Sequence, residues 1–323
     1  MSEGEAGAPA TGEIGGGPRW VTDGGLETDV IFNHGVELPH FAAYPLLDSP
    51  EGRALLTDYY SGYAGVASRA GASLLLETPT WRASPDWVAT VGGPATDVHR
   101  VALESVVFLA ALGESLLATG VLSAGRHDYD SFRVSGMIGP RGDGYVAGNP
   151  APPDEFATYH SHQVAAFAES GAGRVAAYTL TTVSEAVGVV QAARAHGLDV
   201  AVSFTVETDG HLPDGTALGE AVATLWEQAA PDELLVNCAH PSHVARALAD
   251  DDSWAARVTG LRVNASRQSH AELDAAEVLD PGDIADLVRE HDALAARLPN
   301  LDVVGGCCGT DVRHVAALWG VDA

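Results

Sequence analysis

The chain contains three cysteines, and their positions indicate metal chemistry. Cys238 lies in the segment LLVNCAHP, and Cys307 and Cys308 are adjacent in DVVGGCCGTD. Each segment begins with a run of apolar residues, which predicts that the cysteines lie at the ends of buried parallel strands. If the two strand ends are neighbours in space, three thiolates converge on one point. Three protein ligands with one open position are typical of a catalytic zinc site.

A redox motif, a zinc finger and simple core packing each fit the three cysteines less well. Adjacent thiols do not form a redox C-x-x-C motif, and a zinc finger would need a fourth ligand nearby. A cysteine can also pack as a small apolar side chain, but packing does not require glycines on both sides of the pair. Gly305, Gly306 and Gly309 would let the backbone curl so that Cys307 and Cys308 both face one metal, which strand alternation otherwise forbids.

The composition narrows the classes of partner. The 323 residues carry a formal net charge of −27, from 44 acidic and 17 basic residues, and every basic residue is arginine. This balance opposes binding to nucleic acid or to an anionic membrane surface. A high-salt cytoplasm would produce such an excess, and so would a genome that replaces lysine by arginine. We find no apolar run of about 18 residues and no disulfide framework, so we expect a cytoplasmic protein.

Eight apolar runs alternate with segments of helical period, which predicts an α/β protein with a (β/α)8 TIM barrel. Residues 1–18 are acidic and rich in glycine, and we expect a disordered tail there. Residues 19–323 show no linker and predict a single domain. A doubly wound sheet is the alternative, but DGGLETD after the first run lacks the third glycine of a dinucleotide fingerprint. The predicted strands lie within 20–25, 72–79, 132–140, 174–180, 199–206, 233–239, 258–265 and 301–309.

Four motifs resemble the homocysteine S-methyltransferase family of zinc-dependent barrel enzymes. They are DGGLETD, SFTVETDGHLPDG, LLVNCAHP and GGCCGT, in this order, and the resemblance runs from about Trp20 to Leu318. It implies that the three cysteines bind Zn²⁺ and that Asp23 of the DGG motif lies in the homocysteine pocket.

The amino-acid pocket departs from the family pattern. Where the resemblance implies a glutamate after strand four, the chain has Tyr178. Glu77 could supply the missing carboxylate from strand two, or it could instead be the structural partner of an arginine such as Arg82. The residues that we expect to bind substrate lie at predicted strand ends: Asp23, Gly24, Glu77, Thr78, Ser135, Tyr178 and Asn264.

The resemblance implies methyl transfer to a small thiol. A free thiol has a pKa of about 8.5, and coordination to zinc would deprotonate it at neutral pH. The expected reaction converts homocysteine to methionine with a small cationic donor such as S-methylmethionine, S-adenosylmethionine or a betaine. The faces of Trp81, Trp87 and Tyr44 could hold the donor's cation. A different thiol or selenol acceptor, and a zinc- and thiol-binding barrel without turnover, are the alternatives; no pattern indicates an oligomeric state.

Overall fold

Eight parallel strands form a closed barrel in the order of the sequence. The computed structural model describes residues 18–94, 96–123 and 130–323, so the predicted tail lies outside the described residues except for its last position. The barrel confirms the predicted (β/α)8 fold and single domain and excludes the doubly wound sheet. The strands are β1 Trp20–Val21, β2 Ser73–Glu77, β3 Phe132–Ile138, β4 Arg174–Leu180, β5 Val200–Phe204, β6 Glu233–Ala239, β7 Gly260–Val263 and β8 Val303–Gly306.

Helices follow the strands and cover the outside of the barrel. Several of them end at a glycine, and Gly71 and Gly171 adopt left-handed φ values of 63° and 81° there. Short 3-10 segments and one π-helical turn, Asp29–Asn33, complete the loops. The α-helices are α1 Leu26–Thr28, α2 Pro50–Ala70, α3 Pro85–Val91, α4 Asp97–Thr119, α5 Pro153–Ser170, α6 Val183–Ala195, α7 Leu218–Ala229, α8 Pro241–Asp250, α9 His270–Asp274, α10 Ile284–Ala295 and α11 Val312–Leu318.

The strands divide their side chains between two cores. Because successive residues of a strand point to opposite faces, Val175 and Ala177 of β4 pack outward against the helices, whereas Ala176 and Tyr178 point into the barrel. The barrel closes where Trp20 of β1 pairs in register with Val303 of β8. Strand ends from the whole circle therefore meet at one mouth, which is where barrel enzymes build their sites.

Helix α4 differs from the expectation that the chain has no apolar segment long enough to span a membrane. Its 23 residues are long and apolar enough to cross a membrane by length and composition, and it is the one such helix among the described residues. It packs against β3 and α5 as part of the outer layer of the barrel. A core helix passes the same test, so α4 carries no membrane assignment.

Candidate functional site

The structure brings the three cysteine thiols together at the mouth of the barrel. Cys238 lies near the end of β6, and Cys307 and Cys308 follow β8 directly. The three sulfur atoms lie within 4.8 Å of one another, and the sulfurs of Cys238 and Cys308 are 3.4 Å apart. A tetrahedral zinc ion with Zn–S bonds near 2.3 Å holds its sulfurs about 3.8 Å apart. The three thiols therefore match the donor set and the spacing of a zinc site.

The chain reaches this geometry through strained backbone. Cys238 has a φ of 55°, and the register between β6 and β7 shifts at this residue. A non-glycine residue in this region costs about 1–3 kcal/mol and persists only where its surroundings fix it. Strand β4 repeats the feature at Thr179, with a φ of 61° and a register shift against β5. In a regular strand, some of these side chains would point away from the mouth of the barrel. The two bulges turn them toward it.

Asn237 joins the two bulges. Its Oδ1 accepts hydrogen bonds from the backbone N–H of Thr179, at 2.8 Å, and from the hydroxyl of Ser203, at 2.7 Å. Its Nδ2 donates to Thr179 Oγ1 at 2.9 Å and lies 3.8 Å from the sulfur of Cys307. Asn237 therefore fixes the strained turn of β4 and contacts one of the thiols.

Two further side chains hold the backbone of Cys238. Asn264 donates from Nδ2 to the Cys238 carbonyl at 3.0 Å, and His270 Nε2 lies 2.8 Å from the same oxygen. Glu207 contacts the other ring nitrogen of His270 at 2.9 Å. Asn264, which the sequence predicted as a substrate-binding residue, thus contacts the strand that carries a thiol.

Tyr145 covers the thiols from the segment between β3 and α5. Its hydroxyl lies 3.3 Å from the sulfur of Cys238 and 3.2 Å from that of Cys308. Its ring stacks on His270 with a centroid distance of 4.3 Å and an interplanar angle of 11°. Burial raises the pKa of Tyr145 well above its ordinary value, so the hydroxyl keeps its proton and can donate it in a hydrogen bond to sulfur. The sequence motifs gave no sign of Tyr145, because it lies in a loop.

A cavity of about 480 Å³ opens above the thiols. This volume suits a small-molecule ligand. Of the residues predicted to bind zinc or the acceptor, it is lined by Asp23, Gly24, Tyr178, Cys238, Cys307 and Cys308. Glu77, Thr78, Ser135 and Asn264 do not line it.

Asp23 is neutralised by an arginine that the sequence motifs did not indicate. Arg262 of β7 donates to Asp23 Oδ1 at 2.6 Å, and Tyr59 donates to Oδ2 at 3.2 Å. Burial raises the pKa of Asp23 to about 6, although Arg262 opposes the shift. Arg262 also donates to the Gly24 carbonyl at 3.1 Å and thereby ties the DGG turn to β7. A charged residue inside an apolar strand segment, GLRV, was the available signal.

Gly25 lets the DGG turn approach the thiols closely. A Cβ atom at Gly25 would lie 2.5 Å from the carbonyl oxygen of Cys307, which no side chain can tolerate. The next turn is tied to the same segment, because Thr28 Oγ1 accepts a hydrogen bond from the backbone N–H of Gly309 at 3.1 Å. The DGGLETD motif is therefore packed directly against the cysteine pair.

A polar interior layer lies inside the barrel; we define it as Glu77, Ser135, Arg174, Tyr178 and Glu233. Arg174 donates to Glu77 Oε1 at 3.0 Å and to Ser135 Oγ at 3.1 Å, and it also pairs with Glu233. The Tyr178 hydroxyl donates to the same Glu77 oxygen at 2.8 Å. Burial alone would lower the pKa of Arg174, but the two carboxylates raise it above its ordinary value.

The interior layer corrects the expectation for Glu77. Its arginine partner is Arg174 rather than Arg82, and its side chain has no exposed surface. Its side chain therefore does not reach the surface of the cavity in this structure, and its Oε2 atom has no hydrogen-bond partner among the described residues. Thr78, the next residue, accepts from the backbone N–H of Met137 at 2.8 Å and serves the packing of β2 on β3.

Trp81 and Trp87 line the cavity, but a protein cation already stacks on their rings. The guanidinium carbon of Arg82 lies 4.0 Å from the centroid of Trp81 and 3.8 Å from that of Trp87. Arg82 also donates to the Gly142 carbonyl at 2.9 Å, and its guanidinium lies 3.9 Å from the carboxylate of Asp143, which lines the cavity as well. Tyr44 belongs to a separate buried cluster and does not line the cavity.

The fold and the site together define a (β/α)8 barrel with a three-thiol centre at its carboxyl-terminal mouth. A family model described as homocysteine S-methyltransferase matches residues 20–320, and the chain belongs to that family. The homocysteine S-methyltransferase of Escherichia coli (strain K12) is 28% identical over 290 residues, which cover 86% of each chain.

Solved structures show the same fold. The metallated form of the homocysteine methyltransferase MmuM from Escherichia coli superimposes with a TM-score of 0.71 at 23% identity, and the match covers 94% of this chain and 96% of that one. The apo form of the same protein gives a TM-score of 0.63 at 22% identity, with 94% and 95% coverage.

Proposed function

We propose that this protein transfers a methyl group to the thiol of L-homocysteine and forms methionine, with zinc held by Cys238, Cys307 and Cys308. The observation that carries the proposal is the convergence of three thiols within 4.8 Å beneath a cavity of about 480 Å³. Membership of the homocysteine S-methyltransferase family supports the reaction class. A three-thiol centre also requires reduced cysteines, and the proposal therefore includes a reducing compartment such as the cytoplasm.

The donor set supports zinc in particular. Three thiolates and no carboxylate ligand are typical of zinc rather than of magnesium or calcium. When bound, zinc would lower the pKa of a coordinating substrate thiol so that the thiol is nucleophilic at neutral pH. Within the protein, hydrogen bonds from the other two thiols lower the pKa of Cys307, and Arg262 favours the same thiolate.

The surrounding residues orient the thiols and limit access of water. Asn264 and His270 hold the carbonyl of Cys238, and Asn237 fixes the neighbouring bulge. Tyr145 covers the thiols and offers a hydrogen-bond donor to two of them. Such outer partners typically change metal affinity by about 10- to 100-fold when they are removed.

The cavity wall favours a donor that carries a carboxylate. The guanidinium of Arg82 lies between the rings of Trp81 and Trp87, so the ring faces that point toward each other are already occupied by a cation. S-methylmethionine, S-adenosylmethionine and betaine each combine a methyl-bearing cation with a carboxylate. We propose a donor of this class, with its carboxylate directed toward Arg82 and its cation toward the thiols.

Zinc-edge X-ray absorption on the purified protein tests the proposal directly. We expect three sulfur ligands and one light atom without substrate, and four sulfurs after addition of L-homocysteine. Methyl transfer to homocysteine should then appear with one of the three donors. Single cysteine-to-serine variants at the three positions should lose zinc and turnover, while Ser203→Ala, which leaves the thiols in place, should keep both.

Two results would redirect the proposal. A three-sulfur zinc site that ignores homocysteine but responds to another thiol or selenol would identify a different acceptor. Four-sulfur coordination without turnover of any donor would instead define a barrel that binds zinc and a thiol. A protein that binds no zinc at all would overturn the proposal.

A further inference from the structure

Glu27 is a carboxylate on the cavity wall that lacks a partner. It lies in α1, is half-buried and lines the cavity. In the described part of the chain, no arginine or histidine lies within ion-pair distance of its side chain, and no other residue donates a hydrogen bond to it. Asp23, in the same motif, accepts from Arg262, Thr22 and Tyr59. The third carboxylate of the motif, Asp29, accepts from Asn33 at 2.7 Å and lies 3.4 Å from His34. Among the described residues, Glu27 is therefore the carboxylate of the motif that lacks a partner.

Glu27 is close to the thiols. Its neighbour Thr28 bonds to Gly309, the residue after the cysteine pair, and Gly25 packs on the Cys307 carbonyl. Burial, together with the negative charges of Cys307 and Asp23, raises the pKa of Glu27 to about 7. A carboxylate in this position gains most from a ligand that brings a positive charge.

The nearby protein cations are engaged elsewhere. Arg262 is paired with Asp23, and Arg82 lies between two tryptophans and donates to the Gly142 carbonyl. Arg262 lowers the pKa of Glu27, and Glu27 raises the pKa of Arg82, so both guanidinium groups are nearby. Neither forms an ion pair with Glu27.

The end of β4 does not offer an alternative site for an ammonium group. The hydroxyl of Tyr178 donates to Glu77, and the guanidinium of Arg262 lies 4.7 Å from the centroid of its ring. The ring face of Tyr178 is therefore occupied by a protein cation and does not offer a surface to an ammonium group. An α-amino acid brings an ammonium group that must find a carboxylate when it is removed from water.

We propose that the Glu27 carboxylate binds the α-ammonium group of the acceptor amino acid and thereby makes the site selective for an amino-acid thiol. The assignment rests on the proposed function, since it concerns the acceptor of that reaction. It places acceptor recognition in the DGGLETD motif of β1–α1 rather than at the end of β4.

The test compares two acceptors on the zinc-loaded full-length enzyme. L-homocysteine and 4-mercaptobutanoic acid share the thiol and the carboxylate, but only the first has an amino group. For Glu27→Gln we expect kcat/KM with L-homocysteine to fall by about 10- to 100-fold, the loss typical of a charged hydrogen bond. With 4-mercaptobutanoic acid it should change by less than about twofold, and the KM of the donor should not change.

Binding provides a second readout that does not depend on turnover. Calorimetric titration without donor should show the same selective loss of L-homocysteine affinity in Glu27→Gln. Glu27→Asp, which keeps the charge on a shorter side chain, should recover part of the selectivity. Asp274→Asn removes another carboxylate, one at the exposed rim of the cavity, and should leave the acceptor preference unchanged.

The outcomes separate the assignment from the proposed function. If Glu27→Gln weakens both acceptors equally or raises only the donor KM, Glu27 does not bind the acceptor ammonium and the assignment is wrong. If the wild-type enzyme neither binds nor methylates L-homocysteine, the proposed function fails and the assignment fails with it.

Discussion

The carboxylate Glu77 of the interior layer and the carboxylate Glu27 of the cavity wall differ in whether a charged partner accompanies them. In the interior layer Arg174 has two carboxylate partners, Glu77 and Glu233. On the cavity wall, Glu27 has no counter-ion among the described residues. A buried charge without a partner is costly, so the protein keeps one only where a ligand can neutralise it. The difference separates charges that hold the barrel from charges that bind substrate.

Removal of Arg174 should have the largest effect on stability. Arg174→Met leaves Glu77 buried without its cation, and we expect the free energy of unfolding to fall by about 3–5 kcal/mol. Urea denaturation of purified protein measures this change. Because the interior layer is structural, the surviving folded enzyme should keep its preference for L-homocysteine over 4-mercaptobutanoic acid.

The double variant Arg174→Met/Glu77→Gln is the control for this prediction. It removes the unpaired charge along with its partner, so most of the lost stability should return. A double variant as unstable as the single one would mean that packing around Arg174, rather than its charge, supports the barrel. The contrast between the two regions would then be weaker.

Asn237 lies at the boundary between the barrel interior and the cavity. Asn237→Ala removes its hydrogen bonds to Thr179 and leaves the Ser203 hydroxyl without its acceptor, so we expect a loss of about 2–3 kcal/mol in stability. The same change should weaken zinc binding by about 10- to 100-fold, because the side chain also contacts Cys307. Competition with a chromophoric chelator measures the zinc affinity.

Ser203→Ala is the matched variant for Asn237. Ser203 donates one hydrogen bond to the same amide oxygen but does not contact a thiol. It should cost about 1 kcal/mol in stability and leave zinc affinity unchanged. Equal effects on zinc from both variants would contradict a specific role of Asn237 at the thiols.

Much of the fold was predictable, because it depends on local patterns. The eight strands follow from apolar runs, and the meeting of Cys238 with Cys307 and Cys308 follows from their places at two strand ends. The depth of a side chain was not predictable in the same way. Glu77 and Ser135 face the barrel interior below the mouth. A shift of one or two residues along a strand determines whether a side chain lies in the interior or lines the cavity.

The sequence also did not predict which carboxylate each buried arginine pairs with, because each strand was considered separately. Arg174 and Arg262 each lie in a strand segment that is mostly apolar. Arg174 pairs with Glu77 of β2, and Arg262 pairs with Asp23, which follows β1. The presence of arginine in a buried strand signals such a pair, but only the closed barrel shows which carboxylate it meets. Tyr145 reaches the thiols from a loop, where no periodic pattern exists.

Arg82 is the charged group of the cavity wall that we propose binds the carboxylate of the methyl donor, and its substitution tests that role. Arg82→Leu should raise the donor KM by about tenfold, as expected for loss of one charged hydrogen bond, and leave the acceptor KM within about twofold. Arg82→Lys keeps the charge and should show a smaller change. An unchanged donor KM in Arg82→Leu would show that Arg82 does not bind the donor. Its role would then be structural, through its packing between Trp81 and Trp87.

The smallest expected effect is a pH-dependent gain in stability on removing the unpaired charge. Because the folded protein raises the pKa of Glu27 to about 7 from 4.5, the wild type loses stability as pH rises through this range. Glu27→Gln lacks this loss. In reduced, metal-free protein we expect it to match the wild type at about pH 4.5 and to exceed it by about 1 kcal/mol at about pH 8. This is less than the roughly 3 kcal/mol that the full shift corresponds to, because the side chain is partly exposed to solvent.

Urea denaturation at the two pH values measures the difference, with Asp274→Asn as the control that removes an exposed carboxylate. That control should stay within about 0.5 kcal/mol of the wild type at both pH values. A Glu27→Gln protein that is less stable than the wild type at the higher pH would reveal a protein partner for this carboxylate. Glu27 would then belong with Glu77 among the charges that hold the barrel, and the cavity wall would contain no carboxylate kept free for an acceptor.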